Sequence, residues 1–298
     1  MGPVAPRLRA AFSFGKDPFD PSHRFVTSWL VSPWMLFILR AIIATYILFT
    51  HLFIIAWYCS HPAAGGCLAS RQLFSYFTFL TYWGLFFYFA VAALHTLDYA
   101  LASPEDCSPG APTLLARLPR LLQALHALLY TTITTYPPLV TVVYWALLYS
   151  GSWFPDVFDA WYIVSVHAIN LVFALFEILI PRTERPPLVH AVWIVVLLGG
   201  YLGVAYITAA DQGFYVYKFL DHDAVGGRGV VAAYIVGIAV GAVVGFLLVS
   251  GAIVLRRRIT EDRLGMLGKL KAHDGGSRGI EFRRLKSRYP QGAASREV

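Results

Sequence analysis

Charge is scarce in this chain. Asp, Glu, Lys and Arg make up 14% of its 298 residues, while aliphatic and aromatic residues reach 57%. Soluble domains carry about 25% charged residues. A water-soluble protein of this size cannot solvate its surface with so few, so the composition excludes one. The first 35 residues lack an early apolar core and a small-residue cleavage site, which excludes a removable signal peptide and leaves the first span as its own insertion signal. Pro6 stands where the myristoylation pattern wants Ser or Thr, so acylation of Gly2 is not expected. No period of 20–50 residues repeats, which excludes a solenoid. His51, His95, His126 and His190 fall one per apolar stretch, mostly near the ends, so the paired same-helix histidines of a haem-binding membrane cytochrome are missing. Cysteine is limited to three.

What is present is long apolar stretches. A spanning helix needs about 20 mostly apolar residues, and six stretches qualify, at 37–57, 74–97, 122–149, 157–180, 188–209 and 229–255. They predict an all-α integral membrane bundle of six transmembrane helices. The chain divides into an N-terminal segment (1–36), a transmembrane domain (37–255) and a basic tail (256–298).

The net charge of +7 is concentrated at one end. From Arg256 onward there are twelve basic and five acidic residues, which leaves twelve of each sign in the preceding body. Basic residues in short flanks mark the cytoplasmic side. With a cytoplasmic N-terminus that side gathers Arg7, Arg9, Lys16, Arg24, Arg117, Arg120, Arg182, Arg185 and the tail, and Arg40 snorkels toward it. The opposite face receives only Arg71, Lys218 and Arg228. Both termini are therefore expected in the cytoplasm. Cys59 and Cys67 then share the first outer loop, where an oxidising lumen permits a bridge, and Cys107 reads as a free cytoplasmic thiol.

The tail from Gly265 is rich in Gly, Ser and Arg without apolar periodicity, and reads as disordered. Its clusters Arg256–Arg258 and Arg283, Arg284, Lys286 and Arg288 suit general attraction to anionic lipid headgroups. No folded motif accompanies them, so nucleic acid is not an expected partner. The oligomeric state is left open.

Polar side chains inside spans mark function, because each must find a partner within the bundle. The fourth stretch carries His167, Asn170 and Glu177, and Asn170 is the only Asn in the chain. Spacing of three places His167 and Asn170 on one helical face. Glu177 lies about 15 Å further along, where Arg182 and Arg185 offer it ion-pair partners. The second stretch opens with Ser75, Thr78 and Thr81 and closes with His95 and Asp98. Thr81, seven residues into its helix, and His167, ten residues into its own, both fall about 10–15 Å below the outer boundary. Lone threonines otherwise bond back to their own helix. Thr131, Thr132, Thr134 and Thr135 before Pro137 and Pro138 suggest a kinked third span, and Gly237, Gly241 and Gly245 permit close helix approach within the bundle. Asp221, His222 and Asp223 have metal-capable side chains but no spaced second set. No metal or other cofactor is expected.

Several of these residues fall in motifs of a known family. Phe79-Leu80-Thr81, the ten-residue spacing from His167 to Glu177, and the stretch from Gly213 to His222 resemble segments of the androgen-induced protein family, which includes the androgen-dependent TFPI-regulating protein. The family loop reads Gly-x-Trp-Val-Tyr-Pro-Phe-Leu-Glu-His, and Lys218 replaces its Pro. Ile163 stands where the family has the first His of a His-Gly-x-x-His pattern. The resemblance implies several membrane helices and a threonine hydrolase of fatty acid esters of hydroxy fatty acids. Carried over, the nucleophile is Thr81 and the general base His167. Ser165 and Asn170 are candidates to hold the imidazole, and Tyr82, Trp83 and the third-span threonines are candidate oxyanion donors. Glu177 is a supporting residue. The substrate is a membrane lipid ester, the expected setting is the endoplasmic reticulum or the plasma membrane, and the Gly213–His222 loop is placed to cap the water route. A non-enzymatic transporter or interaction scaffold is the competing reading; no pair of broken helices or inverted repeat argues for the transporter.

Overall fold

The computed structural model describes residues 19–103, 113–149, 151 and 153–266. Among these residues the fold is all-helical, with a single isolated bridge between Ser28 and Pro181 in place of any strand. Six long helices form it: α1 (Pro33–Ser60), α2 (Phe77–Leu101), α3 (Arg120–Val143), α4 (Val157–Leu179), α5 (His190–Gln212) and α6 (Arg228–Arg257). Five of them, all but α3, are long and apolar enough to cross a membrane. The chain is a multi-pass membrane protein.

Burial is inverted relative to a soluble fold. Leu248, Ile207 and Val142 are 69%, 68% and 64% exposed, whereas Arg40, His51, Thr96 and Glu177 are sealed at 0%. Apolar side chains cover the outside because the surrounding hydrocarbon accepts them, and polar groups turn inward to find partners. The helix that falls short in hydropathy, α3, is packed against α2, α4, α5 and α6 at once. Its polar face meets protein rather than lipid. Its threonines satisfy themselves locally: Thr131, Thr132 and Thr134 donate to the carbonyls of Ala127, Leu129 and Tyr130. These carbonyls lie upstream of those that Pro137 and Pro138 leave unpaired, so the hydroxyls do not patch the proline sites directly. Gly241 lets α6 approach α3, where an added Cβ would sit 3.6 Å from Leu139.

Helix ends follow local chemistry. Ser32 caps α1 by accepting from the Met35 N–H at 3.3 Å, with Pro33 in the first helical position. Gly213 ends α5 with φ +75°, a left-handed conformation that suits a residue without a Cβ. At the opposite end of α1, a Cys59–Cys67 disulfide closes the short connection to α2.

At the end of the bundle where α4 and α6 finish, residues 19–32 and 256–263 pack into the fold. Ser28 Oγ and Trp29 Nε1 donate to the carbonyls of Ile180 and Leu179. The Arg24 guanidinium joins Glu261 and the Arg182 carbonyl, and Arg256 donates to the carbonyls of Ile178, Pro181 and Thr183. Arg256 is thus buried as a cap on the end of α4 instead of lying among lipid headgroups. The second basic cluster, Arg283 to Arg288, and the expected disorder of the distal tail lie outside the described residues, as does Cys107.

Asp20 anchors the N-terminal segment by accepting from the backbone N–H of Arg24 at 2.7 Å and of Phe25 at 2.9 Å. Burial pushes its carboxyl up to about 6, against the lowering effect of those two N–H groups and of the Arg24 charge. The folded pKa exceeds the unfolded value of about 3.9. Its contribution to stability is therefore full below about pH 4 and lost as pH rises through about 6. The thermal midpoint in detergent should thus carry a favourable Asp20 contribution at pH 5 relative to pH 7.5. Asp20→Asn should remove that increment; an identical pH 5 to pH 7.5 difference in both proteins would refute the assignment.

Candidate active site

The polar residues of α4 are displayed by an irregularity in that helix. Ser165–Ile169 form a π-helical turn, a feature that recurs at functional sites. A second π turn, Tyr144–Leu148, ends α3. The two meet: the Tyr144 ring stacks on the His167 imidazole with centroids 3.7 Å apart, and Trp145 Nε1 donates to the His167 carbonyl at 3.0 Å.

His167 is 7% exposed and both ring nitrogens are engaged. Nδ1 lies 3.2 Å from the Ile163 carbonyl, which can only accept, so Nδ1 carries the proton. Nε2 is left as an acceptor, and the Thr78 hydroxyl stands 3.3 Å from it. This is the geometry a general base requires of a nucleophile.

The hydroxyl that meets His167 Nε2 is that of Thr78. Thr81 sits one turn further along α2 and donates back to the Thr78 carbonyl at 3.0 Å, the local bond common for threonines in membrane helices. The other expected supporting residues are engaged elsewhere. Ser165 Oγ pairs with the Tyr46 phenol at 2.8 Å, and Asn170 Oδ1 accepts from Thr141 at 3.2 Å and from the Leu171 N–H at 2.7 Å. The imidazole is held instead by the Ile163 carbonyl and the Tyr144 ring. Trp83 stacks on His51 at 4.1 Å and Tyr82 packs beside the same ring, so these two candidate oxyanion donors pack against α1.

Glu177 belongs to a separate network. It pairs with Arg40 in a two-point contact of 2.8 and 2.9 Å and accepts from the Tyr88 phenol at 3.0 Å. Arg40 also donates to Thr96 Oγ1 and to the Phe25 carbonyl. Arg182, expected beside Glu177, reaches Glu261 at 3.5 Å, and Arg40 is buried rather than snorkelling. An arginine from the start of α1 can reach Glu177 without leaving the protein interior, so the pair excludes lipid and water together.

Thr78 and Tyr144 both face an apolar cavity of about 190 Å³ between α2, α3, α5 and α6. Its polar-bearing wall residues are Thr78, Tyr144, Tyr201 and Tyr217; the remainder are aliphatic residues, Gly199 and phenylalanines. Tyr217, Phe219 and Leu220 come from the Gly213–His222 stretch, so that loop forms part of the wall. Further along the same loop, ligand atoms of Asp221, His222 and Asp223 fall within 4.8 Å of one another, and His222 Nδ1 lies 3.0 Å from Asp223 Oδ1.

Thr78, Tyr144, Ile163 and Tyr217 were the site residues whose places were not apparent from the sequence. The only signal for Thr78 was its position beside Thr81 at the opening of the second span. No curated protein and no solved structure matches the chain. The model for FAR-17a/AIG1-like proteins matches residues 37–250, from α1 to late α6. With more than two thirds of its length matched and the helical membrane architecture in place, the chain belongs to the FAR-17a/AIG1-like family, the androgen-induced proteins.

Proposed function

We propose that this protein is an integral membrane hydrolase of fatty acyl esters, with Thr78 as nucleophile and His167 as general base. The observation that carries this reading is the 3.3 Å contact between the Thr78 hydroxyl and His167 Nε2 at the wall of an apolar cavity. His167 Nε2 takes the hydroxyl proton as Thr78 Oγ1 attacks the ester carbonyl. The same proton then goes to the departing alcohol, which leaves the acyl group on Thr78. Water, activated by His167 in turn, releases the fatty acid. No carboxylate backs the imidazole; the Ile163 carbonyl fixes its tautomer and partly offsets its developing charge. The apolar cavity suits an acyl chain, and family membership favours fatty acid esters of hydroxy fatty acids as the substrate class.

The same reading takes α3 as a sixth span and puts both termini in the cytoplasm. Support comes from the interior packing of α3, the basic cluster of Arg24, Arg182 and Arg256 at one end, and the Cys59–Cys67 disulfide at the other, where an oxidising compartment sustains it. The endoplasmic reticulum and the plasma membrane both meet that requirement.

The test is turnover of a fatty acid ester of a hydroxy fatty acid by the purified full chain in lipid vesicles, together with covalent labelling by a long-chain fluorophosphonate. Native protein should release free fatty acid and take the label, and His167→Ala should lower both rates by about 10²–10⁴-fold. Binding of the ester with no turnover and no labelling would support a scaffold instead.

A further inference from the structure

A tetrahedral intermediate needs donors for its oxyanion, and the start of α2 holds a phenol that can supply one. The first N–H groups of a helix have no acceptor within it. In α2 the first backbone bond of the helix runs from the Leu80 N–H to the Tyr76 carbonyl, and Tyr76 offers no side-chain cap. Of the earlier N–H groups, that of Phe77 donates to the Tyr217 phenol oxygen at 3.2 Å. Thr78 and Tyr201 both lie beside that phenol, on the wall of the same cavity. Tyr217 is held in place by rings on two sides. It stacks on Phe219 with centroids 5.1 Å apart and meets the edge of Tyr76 at 5.9 Å.

A phenol has one proton to donate. The Tyr217 oxygen receives the Phe77 N–H, and the neighbouring Tyr201 hydroxyl donates to the Ser75 carbonyl at 3.0 Å. The Tyr201 oxygen and the Thr78 hydroxyl, both beside the phenol on the cavity wall, are the acceptors left for the Tyr217 proton. Burial raises the Tyr217 phenol above its ordinary range, which keeps it protonated at neutral pH.

We propose that Tyr217 is a catalytic residue, whose O–H donates to the ester carbonyl oxygen as it becomes an alkoxide. The inference rests on the hydrolase reading and names one further part of its machinery. As the Thr78 Oγ1–carbon bond forms, the carbonyl π pair moves onto oxygen and the hydroxyl proton moves to His167. Tyr217 keeps its own proton throughout. When the alkoxide re-forms the carbonyl, the ester C–O bond breaks and the alcohol leaves with the proton from His167. The helix dipole favours the same negative charge.

The experiment compares native protein, Tyr217→Phe and the loop control Tyr215→Phe, each as the purified full chain, on a long-chain ester and its thionoester. Sulfur accepts hydrogen bonds poorly, so a hydroxyl that acts on the carbonyl oxygen makes the enzyme favour the oxygen ester. Tyr217→Phe keeps the ring that stacks on Phe219. Its kcat on the oxygen ester should fall about 10²–10³-fold with KM changed by less than about threefold. Its oxygen-to-sulfur rate ratio should collapse toward the intrinsic value, while Tyr215→Phe keeps both. That ratio is unaffected by the fraction of the variant that folds. An unchanged ratio in Tyr217→Phe overturns the assignment while leaving Thr78 and His167 standing. A native protein inactive on both esters removes the hydrolase reading and Tyr217 with it.

Discussion

Thr78→Ala should abolish ester turnover and fluorophosphonate labelling, with at least about a 10³-fold loss in kcat, while Thr81→Ala should stay within a few-fold of native. Removing a nucleophile eliminates the covalent route and leaves only what binding and oxyanion donors supply. Thr81 is bonded to the Thr78 carbonyl, so its truncation costs one local hydrogen bond, about 1 kcal/mol of stability, and touches no reacting atom. Thr78→Ser retains a hydroxyl without the methyl group that fixes its rotamer and should keep measurable activity. Initial rates in vesicles and in-gel labelling at matched expression separate these cases. Loss of labelling in Thr81→Ala with retention in Thr78→Ala would reverse the assignment.

The contrast between these two threonines shows where the sequence is informative. Long apolar runs announced every long helix to within a few residues, because hydrocarbon thickness and backbone hydrogen bonding constrain length and composition together. His167 was visible as a polar group where lipid tolerates none. The identity of its partner was not. A second helix that starts at 74, in one plane with the fourth, pairs Thr81 with His167 by depth. In fact α2 begins at Phe77, so Thr78 lies in its first turn, whereas His167 is ten residues into α4. The start of α4 must therefore lie beyond that of α2 by up to about 15 Å if the two run parallel. Two π turns then alter the phase of α3 and α4 just where they meet. A π turn depends on tertiary partners such as the Trp145–His167 bond, which no periodicity encodes. Arg40 and Glu177 are illegible for a different reason: local sequence offers headgroups to one and Arg182 and Arg185 to the other, while the two pair with each other across 137 residues.

That pair carries the second large effect. Arg40→Met or Glu177→Leu alone should destabilise the folded protein by about 3–5 kcal/mol, because each leaves an uncompensated charge in a sealed interior. The double variant should be less damaged than the sum of the two, with a coupling of at least about 2 kcal/mol, since apolar replacements of both partners remove the charges together. Recovery should be incomplete: the Tyr88 hydroxyl loses its acceptor, at about 1–3 kcal/mol for a buried donor left without one, whereas Thr96 keeps its bond to the Ala92 carbonyl. Denaturant titration in a fixed detergent, for the native, two single and double variants, measures the coupling. Strictly additive losses would mean that the two groups do not act as a pair. Because the network lies about 15 Å along α4 from His167 and shares no hydrogen bond with it, kcat per folded molecule should be unchanged in all three variants. A fall in kcat at full folding would instead tie the ion pair to the chemistry.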